Sequence, residues 1–163
     1  MTSHQMTIEV VIGQAGAGKT TYVMNKYFND KMKLVTEPIK HTTDGVTCLI
    51  GDYTTNDRCK GTDTLAYNSL PKIKKFISEN RDYKITVVEG DRINNNSFLT
   101  YLLSLGCKLS IVALYCPLFE SLNRLKNANS KISLKFLKMT RTKTLNNVKM
   151  LISKGQKCQI IKT

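Results

Sequence analysis

Apolar, β-branched runs bounded by glycine or polar turns recur along the chain, and helical periodicities fill the gaps between them. "TIEVVIG" (7–13), "YKITVVEG" (83–90) and "KLSIVALYC" (108–116) read as strands buried on both faces. "MKLVTE" (32–37), "VTCLIGDY" (46–53) and "KCQIIK" (157–162) are further strands, the first two separated by a polar turn with Pro38 and Asp44-Gly45. Helices are expected over 19–29 and over 66–80, where Leu70, Ile73, Phe76 and Ile77 recur at helical spacing and Pro71 falls in the first turn or at a break. Another spans 95–106, with Ser97 available as a cap and Gly106 just past its end. Pro117 opens a helix to about 127, and a long one covers 132–153, stopped by Gly155. Strands alternating with helices predict an α/β fold with a mainly parallel central sheet. A length of 163 residues is most simply a single domain, 1–163, large enough for a full hydrophobic core.

Candidate chemistry sits at two strand ends. "GQAGAGKT" (13–20) fits G-x-x-x-x-G-K-[ST] and lies between a strand and a helix, the context that gives the pattern meaning. Glycine there lets the backbone curl, so that N–H groups along Gly13, Ala15, Gly16, Ala17 and Gly18 and into Thr21 point at phosphate oxygens beside the positive helix end. Lys19 would reach the β- and γ-phosphates, and the Thr20 hydroxyl would ligate Mg²⁺. A nucleoside triphosphate, ATP, is the expected ligand. "VVEGDR" (87–92) puts Glu89 and Asp91 at the end of another buried strand, the edge where open parallel sheets bind ligands. An acid there holds the metal or orients a nucleophile, and Arg92 can meet a phosphate.

Charge adds a partner class. Of the 25 basic and 12 acidic residues, residues 101–163 hold 12 Lys/Arg against a single acid, Glu120. So basic a segment suggests contact with polyanions, nucleic acid or charged nucleotides; a solvated surface is the plainer alternative. Within it "RLKNANSKISLK" (124–135) suits a mobile lid, with Arg124, Lys126 and Lys131 approaching a triphosphate. Five scattered cysteines without a CxxC pair point to free thiols in a reducing cytosol rather than to disulfides or a metal site. No apolar run is long enough to span a membrane, and the first residues do not read as a signal peptide. His4 and His41 read as surface residues, and Tyr53 and Tyr67 as packed ones.

"RCKGTDTL" (58–65) is the remaining cluster. Asp63 could orient or deprotonate a hydroxyl, Arg58 and Lys60 could hold an anionic acceptor, and Gly61 would allow close backbone approach; Asp63 as a helix cap is the alternative.

The ordered set "GQAGAGKT", "LIGDY", "R..GTD.L", "VVEGDR", a basic lid and "TK" in the last helix resembles small phage P-loop kinases, over about residues 7–153. Among them are DNA kinases that act on 5-hydroxymethyluracil. The resemblance implies a three-layer α/β/α sandwich with a five-stranded sheet in the order 2-3-1-4-5 and a helical lid. It implies ATP- and Mg²⁺-dependent phosphorylation of the 5-hydroxymethyl group of a pyrimidine in double-stranded DNA, in the host-cell cytoplasm, as a step toward base hypermodification. On it, Lys19, Asp63, Glu89 and Asp91 are catalytic, and Thr20 and Glu89 hold the metal. Residues 13 and 15–21 with Arg124 bind ATP, while Arg58, Gly61, Thr62, Asp63 and Arg92 bind the acceptor. The chain departs from the family at Asp52, where a basic residue is common, and in a lid poorer in arginine. Two other readings are a kinase of a free nucleotide or small metabolite, and a nucleotide-binding ATPase that positions water.

Overall fold

A computed structural model describes residues 5–57 and 59–163, so His4 and Arg58 lie outside the described residues. Seven strands form one mixed sheet: β1 (Thr7–Gly13), β2 (Lys33–Val35), β3 (His41–Thr43), β4 (Thr47–Ile50), β5 (Ile85–Glu89), β6 (Lys108–Tyr115) and β7 (Cys158–Lys162). Five helices connect them: α1 (Lys19–Tyr27), α2 (Leu70–Glu79), α3 (Asn96–Ser104), α4 (Leu118–Asn127) and α5 (Leu134–Ser153). Among the described residues no helix is long and apolar enough to cross a membrane.

The spatial order is β2-β3-β4-β5-β1-β6-β7. Pairings from β4 through β7 are parallel, and β2–β3 and β3–β4 are antiparallel. The five parallel strands, taken alone in chain order, run 2-3-1-4-5; the expected count of five omits the antiparallel extension. β1 lies at the centre, with Ile8, Val10, Val11 and Ile12 fully buried. Side chains packed from the helices on each side cover both of its faces, so an apolar run, interrupted only by Glu9, which pairs with Lys26, suits it.

The two faces have separate cores. Ile8, Val10, Ile12, Val88 and Ile111 pack with Ile73, Phe76 and Ile77 of α2, Phe98, Leu99 and Leu102 of α3, and Val148 and Leu151 of α5. Val11, Leu49, Val87, Val112 and Leu114 pack with Val23 of α1. Each fully buried aliphatic side chain contributes about 1.5–3 kcal/mol relative to exposure.

Several boundaries differ from the sequence expectations. The strand expected over 46–53 ends at Ile50, because Gly51 turns with φ +105° against the carbonyl of Gly61. His41 is buried at 4% exposure on β3, donates from Nδ1 to the Ile39 carbonyl at 2.8 Å, and packs on Phe76 with ring centroids 4.7 Å apart. It is not a surface residue. Tyr53 is packed at 1% exposure, as expected, whereas Tyr67 is 91% exposed. α3 is capped by Asn95, whose side chain accepts from the Phe98 N–H, rather than by Ser97. The second helix starts only at Leu70, with Pro71 in its first turn, where a missing N–H costs nothing.

Candidate functional site

Parallel pairing of β1 with β5 aligns Val11 with Glu89, so the end of β1 and the end of β5 lie side by side. The strand order diverges on either side of β1, which opens a crevice at these carboxyl ends. Residues 14–18 link β1 to α1, with Gly16 at φ +74° and Gly18 at φ +88°. These left-handed positions turn the chain tightly enough to aim successive amides inward. Among the described residues the N–H groups of Gly16, Gly18, Lys19 and Thr20 donate to no protein acceptor. Together with the start of α1 they form an arrangement that fits phosphate oxygens. Ala17 N–H turns back to the Gln14 carbonyl at 3.1 Å, and the Ala15 N–H donates to Thr140 Oγ1 at 3.4 Å.

Neighbouring elements fix this loop in place. Gln14, buried, donates from Nε2 to the Cys116 carbonyl at 2.6 Å and to Ser121 Oγ at 2.7 Å. Arg124 on α4 donates to the Gly16 carbonyl at 3.2 Å, and Thr163 Oγ1 donates to the Ala17 carbonyl at 2.9 Å. Of the basic residues in the expected lid, Arg124 touches the loop, while Lys126 and Lys131 are exposed. The segment between α4 and α5, residues 128–133, lies at the surface.

Lys19 Nζ donates to the carbonyls of Gly13 and Gln14, at 3.0 and 2.9 Å. Burial pushes its ammonium pKa down, and the carboxylates of Glu89, Asp91 and Asp63 oppose that shift. Glu89, 3% exposed, accepts at Oε1 from Thr20 Oγ1 at 3.1 Å and from the Tyr53 hydroxyl at 3.0 Å. Burial raises its pKa, against the pull of Lys19 and the Tyr53 hydrogen bond. Burial first, then the Glu89 charge, holds the Tyr53 phenol well above its ordinary range. Burial thus disfavours the charged form of each, and an incoming polyanion would favour the charged form of Lys19.

Thr20 Oγ1 and Glu89 Oε1 supply neighbouring oxygen ligands of the kind Mg²⁺ takes, directly or through water. Among the described residues no group of three or more His, Cys, Asp or Glu side chains could hold a metal ion by themselves. A Mg²⁺ ion here would therefore depend on phosphate oxygens for the rest of its shell, as is usual for that ion.

The "GTD" segment lies directly against this acid. Gly61 N–H donates to the Asp52 carbonyl at 2.9 Å, and the Thr62–Thr64 3₁₀ turn follows. Thr62 Oγ1 donates to the Glu89 backbone carbonyl at 2.8 Å. Three glycines make the approach possible: a Cβ at Gly61 would lie 2.3 Å from Glu89 Oε1, one at Gly90 2.6 Å from Thr62 Oγ1, and one at Gly51 2.0 Å from the Gly61 carbonyl. Asp63 is exposed and follows the cap position, which Gly61 occupies, and its charge is felt at Lys19, Glu89 and Tyr53. Its carboxylate is therefore on the open side of the site.

Other expected residues have structural occupations. Arg92 Nη1 donates to the carbonyls of Leu65 and Ala66, both at 2.8 Å, which pins the far end of the same loop. Lys60 Nζ donates to the Thr55 carbonyl. Asp91 pairs with Lys143 Nζ at 2.6 Å, joining α5 to the end of β5. Thr21 is exposed on the first turn of α1. Tyr53, Gln14, Thr140 and Lys143 join the site through partners that were not foreseen; these partners are 36 to 125 positions away in the chain, and spacing carries no trace of that.

No protein-family model matches the chain, and no curated protein matches its sequence. The kinase resemblance rests on the quoted motifs alone.

Proposed function

We propose that the chain is an ATP- and Mg²⁺-dependent kinase that phosphorylates the hydroxymethyl group of 5-hydroxymethyluracil in double-stranded DNA. The observation that carries the kinase half is the meeting of three segments around one buried acid: Thr20 from the glycine-rich loop, Tyr53, and Gly61–Thr62 all close on Glu89. Phosphoryl transfer depends on positioning and on charge stabilisation more than on covalent chemistry, and such convergence supports both.

In this mechanism the free amides of Gly16, Gly18, Lys19 and Thr20 hold the triphosphate. Lys19 leaves the Gly13 and Gln14 carbonyls for the β- and γ-phosphates, whose charge offsets the burial that lowers its pKa. Arg124, already at the Gly16 carbonyl, follows the phosphates from the other side. Asp63 on the open side orients the acceptor hydroxyl and takes its proton, while Glu89 stays tied to Thr20 and Tyr53. Mg²⁺, when bound, would screen charge on the transferring group. The DNA half is supported by the acid-poor C-terminal segment and by the motif resemblance. Five free thiols are in keeping with a reducing compartment such as the cytoplasm.

The test is calorimetric titration of a non-hydrolysable ATP analogue with Mg²⁺ into wild type and Lys19→Met, followed by ATP consumption with and without modified duplex. Binding lost in Lys19→Met and consumption that requires the acceptor are expected. Consumption at the same rate without acceptor would make the chain an ATPase; consumption driven by a free hydroxymethylated nucleotide would make it a metabolite kinase.

A further inference from the structure

The outer face of α5 carries Lys135, Lys138, Thr142, Asn146 and Lys149, all exposed and spaced by three or four residues. That spacing keeps them on one stripe of the helix, about 21 Å long at 1.5 Å per residue. Beside the stripe a groove of about 740 Å³ opens between α5 and the start of α3, lined by Asn95, Asn96, Lys138, Lys143 and Asn147 among others. Neither α3 nor α5 contains an Asp or Glu. Asn147 is buried and donates from Nδ2 to Asn94 Oδ1 at 2.8 Å, which holds its amide in the groove wall. The inner end of the groove meets the candidate site through Lys143, paired with Asp91, two residues beyond Glu89.

Apart from Asp91, which is paired with Lys143 at the inner end, these walls offer ammonium and amide donors with no acid among the lining residues. They suit phosphate esters better than a neutral or cationic ligand. Length selects among anions: about 21 Å spans several successive phosphates of one strand, whereas one free nucleotide would use a single end of the stripe.

We propose that the groove between α3 and α5, extended by the Lys135–Lys149 stripe, is the track for the phosphodiester backbone of a nucleic-acid acceptor. The proposal rests on the kinase reading for its purpose, but it concerns residues outside the phosphate loop and can fail separately. Contacts of this kind position a polymer and release counterions; they do not read sequence.

The experiment compares wild type, the triple variant Lys135→Gln, Lys138→Gln, Lys149→Gln, and a control triple with equal charge loss, Lys31→Gln, Lys33→Gln, Lys84→Gln. All six lysines are exposed, so both variants keep the fold. Fluorescence anisotropy of a labelled duplex is measured from low to moderate salt, alongside binding of the ATP analogue and label transfer to duplex and to free hydroxymethyl-dUMP. With about 0.9 counterion released per phosphate contact, the track variant should lower the salt slope by about 2.7, so that a fourfold rise in salt weakens it about forty-fold less than wild type. The control should keep the wild-type slope, and neither variant should change ATP-analogue binding. Equal slopes in wild type and track variant, or an equal fall in both variants, overturn the track whatever the transfer assay gives. Efficient transfer to free nucleotide, with duplex neither bound nor phosphorylated, also overturns it. Loss of slope in the track variant with no transfer to any acceptor would uphold the track and refute the kinase reading.

Discussion

Replacing Gly61 by alanine probes the join between the "GTD" loop and the buried acid. The new methyl would lie 2.3 Å from Glu89 Oε1, 2.7 Å from the Tyr53 hydroxyl and 3.0 Å from Tyr53 Cζ. Tyr53 and Glu89 are buried and hydrogen-bonded to each other, so neither can retreat without giving up that bond. Gly61 also has φ +67° and ψ −142°, a backbone region that alanine rarely adopts. Backbone strain costs about 1–3 kcal/mol and overpacking about another 1–3, which places the total near 2–6 kcal/mol. Much of a domain's net stability of about 5–15 kcal/mol is then lost. In urea, at a slope of about 2 kcal/mol per molar, the midpoint should fall by roughly 1–3 M. Gly45 supplies the control: φ is +90° there, but nothing lies within 4 Å of its added Cβ, so Gly45→Ala meets strain without a clash. Urea unfolding followed by circular dichroism measures both variants. If Gly61→Ala were no less stable than Gly45→Ala, the loop would not rest on Glu89, and the proposed site would lose its acceptor side.

Further outcomes follow from the same contacts. Tyr53→Phe removes one of the two side-chain donors on Glu89 Oε1, costs about 1.5–3 kcal/mol in the same denaturation assay, and leaves the fold unchanged; no loss would mean that the hydroxyl does not serve the acid. Asn94 is fully buried, donates to Thr144 Oγ1 at 2.9 Å and accepts from Asn147 at 2.8 Å, so Asn94→Ala strands two partners at about 1–3 kcal/mol each and should lower the urea midpoint without altering ATP-analogue binding. Glu89 has a pKa raised in the folded state, mainly by burial, so the folded form holds that proton more tightly than the unfolded form. Its contribution to stability is present below the unfolded carboxyl pKa and lost as pH rises through the higher folded one. Glu89→Gln should therefore gain thermal stability relative to wild type as pH rises from the ordinary carboxylate range, while losing phosphoryl transfer. A wild type that gains on the variant with rising pH would show the Lys19 charge outweighing burial.

The central parallel strands could be read from the sequence because burial on both faces demands apolar runs, as at Val10–Ile12 and Val87–Val88. β3 could not, because its three residues His-Thr-Thr satisfy themselves through hydrogen bonds: Thr42 Oγ1 donates to the Gly51 carbonyl at 2.9 Å and Thr43 Oγ1 to the Thr47 carbonyl at 2.7 Å. The extent of α5 was legible, as 132–153 against the observed Leu134–Ser153, but its buried face was not, for a related reason. Its buried face includes Thr140, Thr144 and Asn147, polar side chains whose partners come from the phosphate loop and the turn after β5. Within the site, the glycine-rich loop was legible because local spacing creates it. The closure of Tyr53 and Gly61 on Glu89 was not, since residues 36 and 28 positions away meet it only through the order of β4, β5 and β1. Arg92 shows the converse: a motif residue expected at a phosphate instead donates to two carbonyls of the loop.

The most direct measurement is the fate of label from γ-labelled ATP with Mg²⁺, offered duplex DNA containing 5-hydroxymethyluracil, the same duplex with thymine, and free hydroxymethyl-dUMP. Label in the modified duplex alone, and its loss in Asp63→Ala with ATP-analogue binding kept, is the predicted result. Label in free nucleotide alone, or inorganic phosphate released with no acceptor labelled, would contradict the assignment of a DNA-base kinase.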